Sequence, residues 1–404
     1  MESLRARVSR LVQSPPVMRT VFAVARRVMP VFAVGGQTMV CRHEDVADVL
    51  ARDRDFSVVP VYARKMERTS GAFFLGMDDG PEYRREQGIT RQATRPDDLA
   101  RIRAFVHAEA AAAVARGRRR GVMDAVGELT RRVPIRLVDH YFGVPAPDER
   151  TMAGWMRILF DHLFFDVAGD KAADGEAAAA GLNRWVEQVI AERRAEVAAG
   201  TCQRDDVLTR LVRMQDDPDT RLDDVGIRRN INGLIIGTVD STSKAAANAL
   251  AQLLARPAAL AGARRAALAG DEGQLRGWIY DALRFDPLGL AVPRRAAVDT
   301  TVGRGRGKRT IAAGTPVWAF IFSAMFDGEA LEAPGEVRPD RPGDAYLHFG
   351  WGLHACFGRA VNAITLPALL GPLLAEPGIY AEEPIRWDGP FPDRLTVGFD
   401  RIGR

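Results

Sequence analysis

The stretch that decides the reading is Leu347-His348-Phe349-Gly350-Trp351-Gly352-Leu353-His354-Ala355-Cys356-Phe357-Gly358. It sets glycines, aromatics and histidines around one cysteine, directly ahead of a helix-compatible run from Arg359. Spaced glycines let the backbone take positive φ and approach a flat ligand closely. Amides near Gly358, with the positive end of the following helix, lower a thiol pKa and hold the sulfur as thiolate. Cys356 therefore reads as a metal-binding thiolate rather than as a small buried hydrophobe.

The pattern Phe349-Gly350-x-Gly352-x-His354-x-Cys356-x-Gly358 resembles the haem-binding signature of the cytochromes P-450, the haem-thiolate monooxygenases, with every fixed position present. The resemblance implies haem b, iron protoporphyrin IX, with Cys356 as its axial ligand. Such a thiolate is the ligand that makes haem iron favour O–O cleavage. It also implies a mainly α fold with small β-sheets (α+β), a single haem domain over residues 1–404, and a haem held between the long I helix and the Cys-ligand loop.

Composition agrees with a large globular core: 47% of residues are hydrophobic and 27% charged. Three cysteines, Cys41, Cys202 and Cys356, lie far apart. That speaks against a disulfide framework and for a reducing, cytoplasmic setting. The apolar run Val21–Gly35 is interrupted by Arg26 and Arg27 and broken by Pro30, so no membrane span is expected. With a net charge of +4, the arginines are scattered through helical stretches rather than gathered in the aromatic-laced patch a nucleic-acid surface shows, and a diffuse basic surface suits an acidic redox partner equally well.

The longest helix is expected from Leu222-Asp223-Asp224-Val225, an N-cap with an apolar staple, to about Ala255, where Pro257 stops it. Its middle reads Gly233-Leu234-Ile235-Ile236-Gly237-Thr238-Val239-Asp240-Ser241-Thr242-Ser243. A carboxylate and hydroxyls inside an apolar helix need a reason, because Ser, Thr and Asp compete for its hydrogen bonds and buried charge is costly. Oxygen activation supplies one, since it requires protons. The segment is similar to the family's I-helix motif, with Ser241 where Thr is usual and Thr238 in place of a small residue. The resemblance makes Asp240, Ser241 and Thr242 the proton-delivering group and Gly237 the thin point beside the haem.

Asp281-x-x-Arg284 places an acid and an arginine on one helix face. It resembles the family's Glu-x-x-Arg motif with the acid one carbon shorter, which implies a structural ion network with Arg341. Arg294, in an extended stretch Leu288–Ala296, matches a propionate-binding arginine, whose planar fork suits a carboxylate. Of the remaining propionate donors, His354 resembles the family's; the stretch Asp78–Arg85 departs from the pattern, with Tyr83 where the family has His, Arg85 as an available cation, and Gln87 where a second Arg is common. Phe73, Phe74, Leu234, Leu290 and Val292 are expected to line the substrate pocket, and so are Phe160, Phe164 and Phe391.

Residues 58–77 lack a clean period and read as a loop. A Gly/Asp/Ala-rich gap follows at Ala168–Glu176, which the resemblance makes part of a mobile lid, and the helix after Gly358 is expected to end near Pro367. His162 has no ligand spacing and reads as structural. Gly303–Thr310 is glycine-rich and basic but lacks the spacing of a phosphate loop, so it reads as a hairpin turn.

The resemblance implies insertion of one oxygen atom from O2 into a small apolar substrate by a monomeric enzyme. Electrons would come from a separate ferredoxin or flavodoxin and its reductase. Two other readings stay open: a peroxide-driven peroxygenase, and a non-catalytic haem-thiolate binding protein.

Overall fold

The computed structural model describes residues 15–166 and 169–400. The chain divides into two compact units, one of residues up to Val61 with Gly277–Phe357, the other of Tyr62–Arg276 with the residues from Gly358 onward. Among the described residues no helix is long and apolar enough to cross a membrane.

In the first unit, alternating apolar residues build a five-stranded sheet. Its strands run in the order Val31–Val34, Gln37–Val40, Pro316–Ala319, Val292–Ala296 and Phe56–Ser57. The first two form a hairpin in which Val31 faces Val40, turned by Gly35 and Gly36 at φ 57° and 77°, a region other residues enter at a cost. Gln37–Val40 runs parallel to Pro316–Ala319, and the other pairs are antiparallel. Beneath the sheet Val46, Val49 and Leu50 of helix His43–Ala51 pack with Phe56, Val317 and Leu347, all buried. The basic segment expected as a turn joins Thr300–Val302 to Arg309–Ile311, a two-stranded ribbon.

The second unit is helical. The Asp223 side chain caps helix Asp224–Leu254 by accepting from the Gly226 amide at 2.7 Å, a bond of the kind that contributes about 1 kcal/mol. This helix packs on Glu149–Phe164 and Ala172–Ala198, while Leu99–Arg120 packs on Arg359–Ala375. Three short strands, Val122–Asp124, Thr396–Phe399 and Ile379–Ala381, form a small sheet, and Arg386–Asp388 pairs with Phe391–Arg394.

Three expectations about elements are corrected. Residues 58–77 contain a helix, Val59–Arg68, with Pro60 in its first turn, where a missing N–H costs nothing. Only Met66 of that helix is buried, so no apolar period announced it. The gap expected to run to Glu176 ends at Ala172, where the 27-residue helix begins; Ala168 lies outside the described residues. The final long helix passes both Pro367 and Pro372 to Ala375, because Leu366, Leu369, Leu370, Leu373 and Leu374 are all buried, and that packing outweighs the lost backbone bonds.

Candidate active site

The cysteine loop is shaped by its own backbone. The Gly350 amide donates to the Leu347 carbonyl at 3.1 Å, closing a turn, and the Cys356 amide donates to the Phe349 carbonyl at 2.7 Å. Gly350 and Gly352 hold φ 67° and 70°. A Cβ on Gly352 would stand 2.6 Å from the Leu50 carbonyl oxygen, so the loop lies directly on the end of helix His43–Ala51. The loop thus delivers Cys356 to an exposed position, and Gly358 N-caps the following helix.

The middle of helix Asp224–Leu254 is buried on most sides, including at Ile235, Ile236, Val239, Asp240, Thr242 and Ser243. Leu234, Gly237, Thr238 and Ser241, at three- and four-residue spacing, lie on a face left partly or wholly open. A Cβ on Gly237 would meet nothing within 4 Å. The hydroxyls that threatened the helix return to it: Thr238 donates to the Leu234 carbonyl at 2.7 Å and Ser241 to the Gly237 carbonyl at 2.5 Å. Thr242 instead donates to Asn362 Oδ1 at 3.3 Å.

Asp240 points away from that face. Its Oδ1 accepts from Arg157 Nε at 3.2 Å, and its Oδ2 is buried with no hydrogen-bond partner among the described residues. Arg157 also reaches the exposed Asp388 at 3.3 Å and lies over the Phe391 ring, 4.3 Å from its centre. Burial pushes the Asp240 carboxyl above its ordinary value, against the pull of Arg157. One long hydrogen bond does not compensate a carboxylate stripped of water.

A carboxyl with a raised folded pKa binds its proton more tightly folded than unfolded, so stability falls as pH rises from the unfolded towards the folded pKa and stays lower above it. Asp240→Asn is therefore expected to unfold at a higher temperature than the parent at pH 8. The gap should shrink towards pH 4, in a thermal unfolding series across that range.

Asp281 and Arg284 are fully buried and joined at 2.7 Å, and Arg341 Nε reaches the same carboxylate at 2.8 Å, so the structure brings all three together. Arg294 is buried in its strand, donating to the Pro293 carbonyl at 2.9 Å, and His354 closes the turn Gly352–His354. The buried Tyr83 hydroxyl accepts from Gln87 at 2.6 Å. Arg85 pairs at 2.8 Å with the buried Glu86, which Arg229 also binds. Phe73 packs across Gly233, where a Cβ would stand 2.5 Å from its ring, and Phe74 meets Tyr83 edge-on; both rings are in the packed interior. Leu290 is exposed and Val292 partly buried. Phe160, Phe165 and Phe391 form one aromatic cluster beside Phe164. His162 is buried against Asp166 at 3.0 Å, a structural role.

Sequence reasoning missed Arg157 as the partner of Asp240 and Asn362 as that of Thr242. A lone cation amid buried Met152, Met156, Leu159 and Phe160 was the available signal for the first.

A sequence profile of the family Cytochrome P450 matches residues 155–376, more than half of the chain. The chain belongs to the cytochrome P450 family. Among curated relatives, it is 29% identical over 362 residues to the mycinamicin IV hydroxylase/epoxidase of Micromonospora griseorubida, covering 86% of this chain and 85% of that one. To the nocardicin C N-oxygenase of Nocardia uniformis subsp. tsuyamanensis it is 27% identical, covering 86% and 83%. The fold matches that of CalO2 with a TM-score of 0.82 at 22% identity, over 96% of this chain and 97% of that one. This P450 is thus a haem-thiolate monooxygenase. An exposed cysteine on a glycine-shaped loop fits a thiolate ligand of haem, and the open helix face at Gly237, where a Cβ would meet nothing within 4 Å, leaves room for a flat group.

Proposed function

We propose that this P450 holds haem b and inserts one oxygen atom from O2 into an apolar, medium-sized small molecule of secondary metabolism, such as a fatty acid, terpenoid or polyketide. The observation that carries the reading is Cys356, held exposed by the Phe349 carbonyl at the end of a loop with Gly350 and Gly352 at positive φ. The two units count together as a single haem domain, residues 1–404. Relatives named for hydroxylation, epoxidation and N-oxygenation support the reaction class.

Bound, the haem supplies oxygen activation. Cys356 would supply the thiolate ligand, with Phe349 and Gly358 beside it, Arg294 and His354 would hold propionates, and Tyr83 and Arg85 would be further propionate contacts. Asp240, its carboxyl raised by burial, holds a proton near neutral pH more readily than an ordinary aspartate does. Arg157 cannot release a proton and so fixes the carboxylate rather than relaying. The Ser241 hydroxyl, on the open helix face, orients water, with Thr242 behind it. Leu234, Leu290 and Val292 shape the apolar surroundings of the substrate, while Phe73 and Phe74 stay in the packed interior. Electrons come from a separate ferredoxin or flavodoxin with its reductase, and the working enzyme is a cytoplasmic monomer.

One observation favours a second reading. Both hydroxyls on the open face, Thr238 and Ser241, are turned onto backbone carbonyls. A site with poorly coupled proton delivery suits peroxide as oxidant, because peroxide brings its own protons. The deciding experiment titrates the haem-loaded protein with a panel of apolar compounds, following displacement of iron-bound water by absorbance. Turnover of each binder is then compared with NADPH plus redox partners and with hydrogen peroxide. Product only with the reductase chain supports the monooxygenase; product only with peroxide replaces it; no product from any binder defeats both.

A further inference from the structure

The glycine pattern explains how the cysteine loop turns but not what fixes its first residue. The ring of His348, the residue before Phe349, answers that. Its Nε2 lies 2.8 Å from the Tyr280 carbonyl, 68 residues away in sequence and one residue before Asp281. The carbonyl can only accept, so Nε2 carries the hydrogen and Nδ1 is bare. That Nδ1 is shut off from solvent and has no hydrogen-bond partner among the described residues.

Three aromatic rings reinforce the bond to Tyr280. His348 stacks on Tyr346 with centres 5.7 Å apart and planes 16° apart, and it meets the edge of Tyr280 at 6.1 Å. Tyr280 in turn contacts Tyr346 at 5.8 Å and Phe349 at 5.6 Å. Burial, with Arg284 adding to it and the Tyr280 carbonyl opposing, pulls the imidazole down to about 4, so the ring is neutral at working pH.

His348 is the second residue of the turn Leu347–Gly350, and the third, Phe349, supplies the carbonyl that receives the Cys356 amide. A chain of fixed groups therefore runs from the buried Asp281 network through Tyr280 and His348 to the cysteine. We infer that His348 is a positioning residue for the Cys356 thiolate: its Nε2–H, bonded to the Tyr280 carbonyl, holds the turn so that the Phe349 carbonyl sets the cysteine backbone. The inference rests on the reading of Cys356 as haem ligand.

The test uses the haem-loaded full chain as wild type, His348→Leu and His348→Gln. Leucine keeps volume without a donor, and glutamine carries an N–H to nearly the same place. The readout is the half-life of the red-shifted ferrous–CO band of thiolate coordination, alongside the thermal midpoint of each protein. In His348→Leu the band is expected to decay about five- to tenfold faster, the effect of losing one hydrogen bond, and His348→Gln to return to within about twofold of wild type. Equal half-lives in wild type and His348→Leu overturn the inference. So does a His348→Gln that fails to rescue while its midpoint matches wild type. If His348→Leu does not fold, 15N NMR of the wild-type ferrous–CO protein decides: an Nε2–H tautomer supports the inference and an Nδ1–H tautomer overturns it. A wild type without the band at all defeats the haem-ligand reading itself, a result distinct from the others.

Discussion

Cys356→Ser protein is expected to fold like the parent, to lack the red-shifted ferrous–CO band, and to lose monooxygenase turnover by about a thousandfold or more. The two halves of that expectation come from different observations. Cys356 is exposed, and the loop is held by backbone groups, chiefly the Cys356 amide on the Phe349 carbonyl, none of which serine removes. Substitutions at such positions usually change stability by no more than about 0.5 kcal/mol. Function fails because a serine hydroxyl does not ionise near neutral pH and supplies no thiolate. Parallel measurement of the thermal midpoint of the haem-free proteins and of the CO spectrum of the loaded ones checks both. A midpoint that collapses with the band would make Cys356 a packing residue instead.

The loop was legible in the sequence because its constraints are local. Positive φ at Gly350 and Gly352 is a property of single residues, and the Cys356–Phe349 bond spans seven positions. The long helix was legible too, since its cap at Asp223 and the stop before Pro257 are written next to its ends. What escaped depends on distant pairings. Nothing near Asp240 announces Arg157, 83 residues earlier, and nothing near His348 announces Tyr280. Polar helices such as Val59–Arg68 carry no buried stripe, so periodicity is silent about them. Phe73 and Phe74 show the converse: apolar character was visible, but whether a ring meets a substrate or a glycine across the core is decided only by packing.

Asp281→Ala is expected to destabilise the protein by about 3–5 kcal/mol, much of the roughly 5–15 kcal/mol available to a folded domain. Both Asp281 oxygens are fully engaged. Oδ1 accepts from Arg284 Nε at 2.7 Å and Arg341 Nε at 2.8 Å; Oδ2 accepts from Arg284 Nη2 at 3.0 Å and the Arg338 amide at 2.7 Å. Arg284 is completely buried, and without the carboxylate it would keep, among the described residues, the carbonyls of Met325, Pro334 and Glu336 and the faces of the Phe285 and Phe326 rings. Carbonyl dipoles do not neutralise a buried guanidinium, so the cost is that of an unpaired charge rather than of one lost bond. The shorter acid suffices here: aspartate in place of glutamate reaches both arginines and a backbone amide as well. Asp281→Glu must fit another methylene into a site with no exposure and is expected to cost about 1–3 kcal/mol rather than to improve the network. Urea denaturation of the three proteins at unchanged m-value ranks them, with wild type above Asp281→Glu and Asp281→Ala last. An Asp281→Ala/Arg284→Met double variant is expected to recover part of the loss, since it removes the stranded charge along with its partner. If Asp281→Ala is as stable as the parent, the carboxylate is not what keeps Arg284 buried, and the anchor that Tyr280 shares with it has another source.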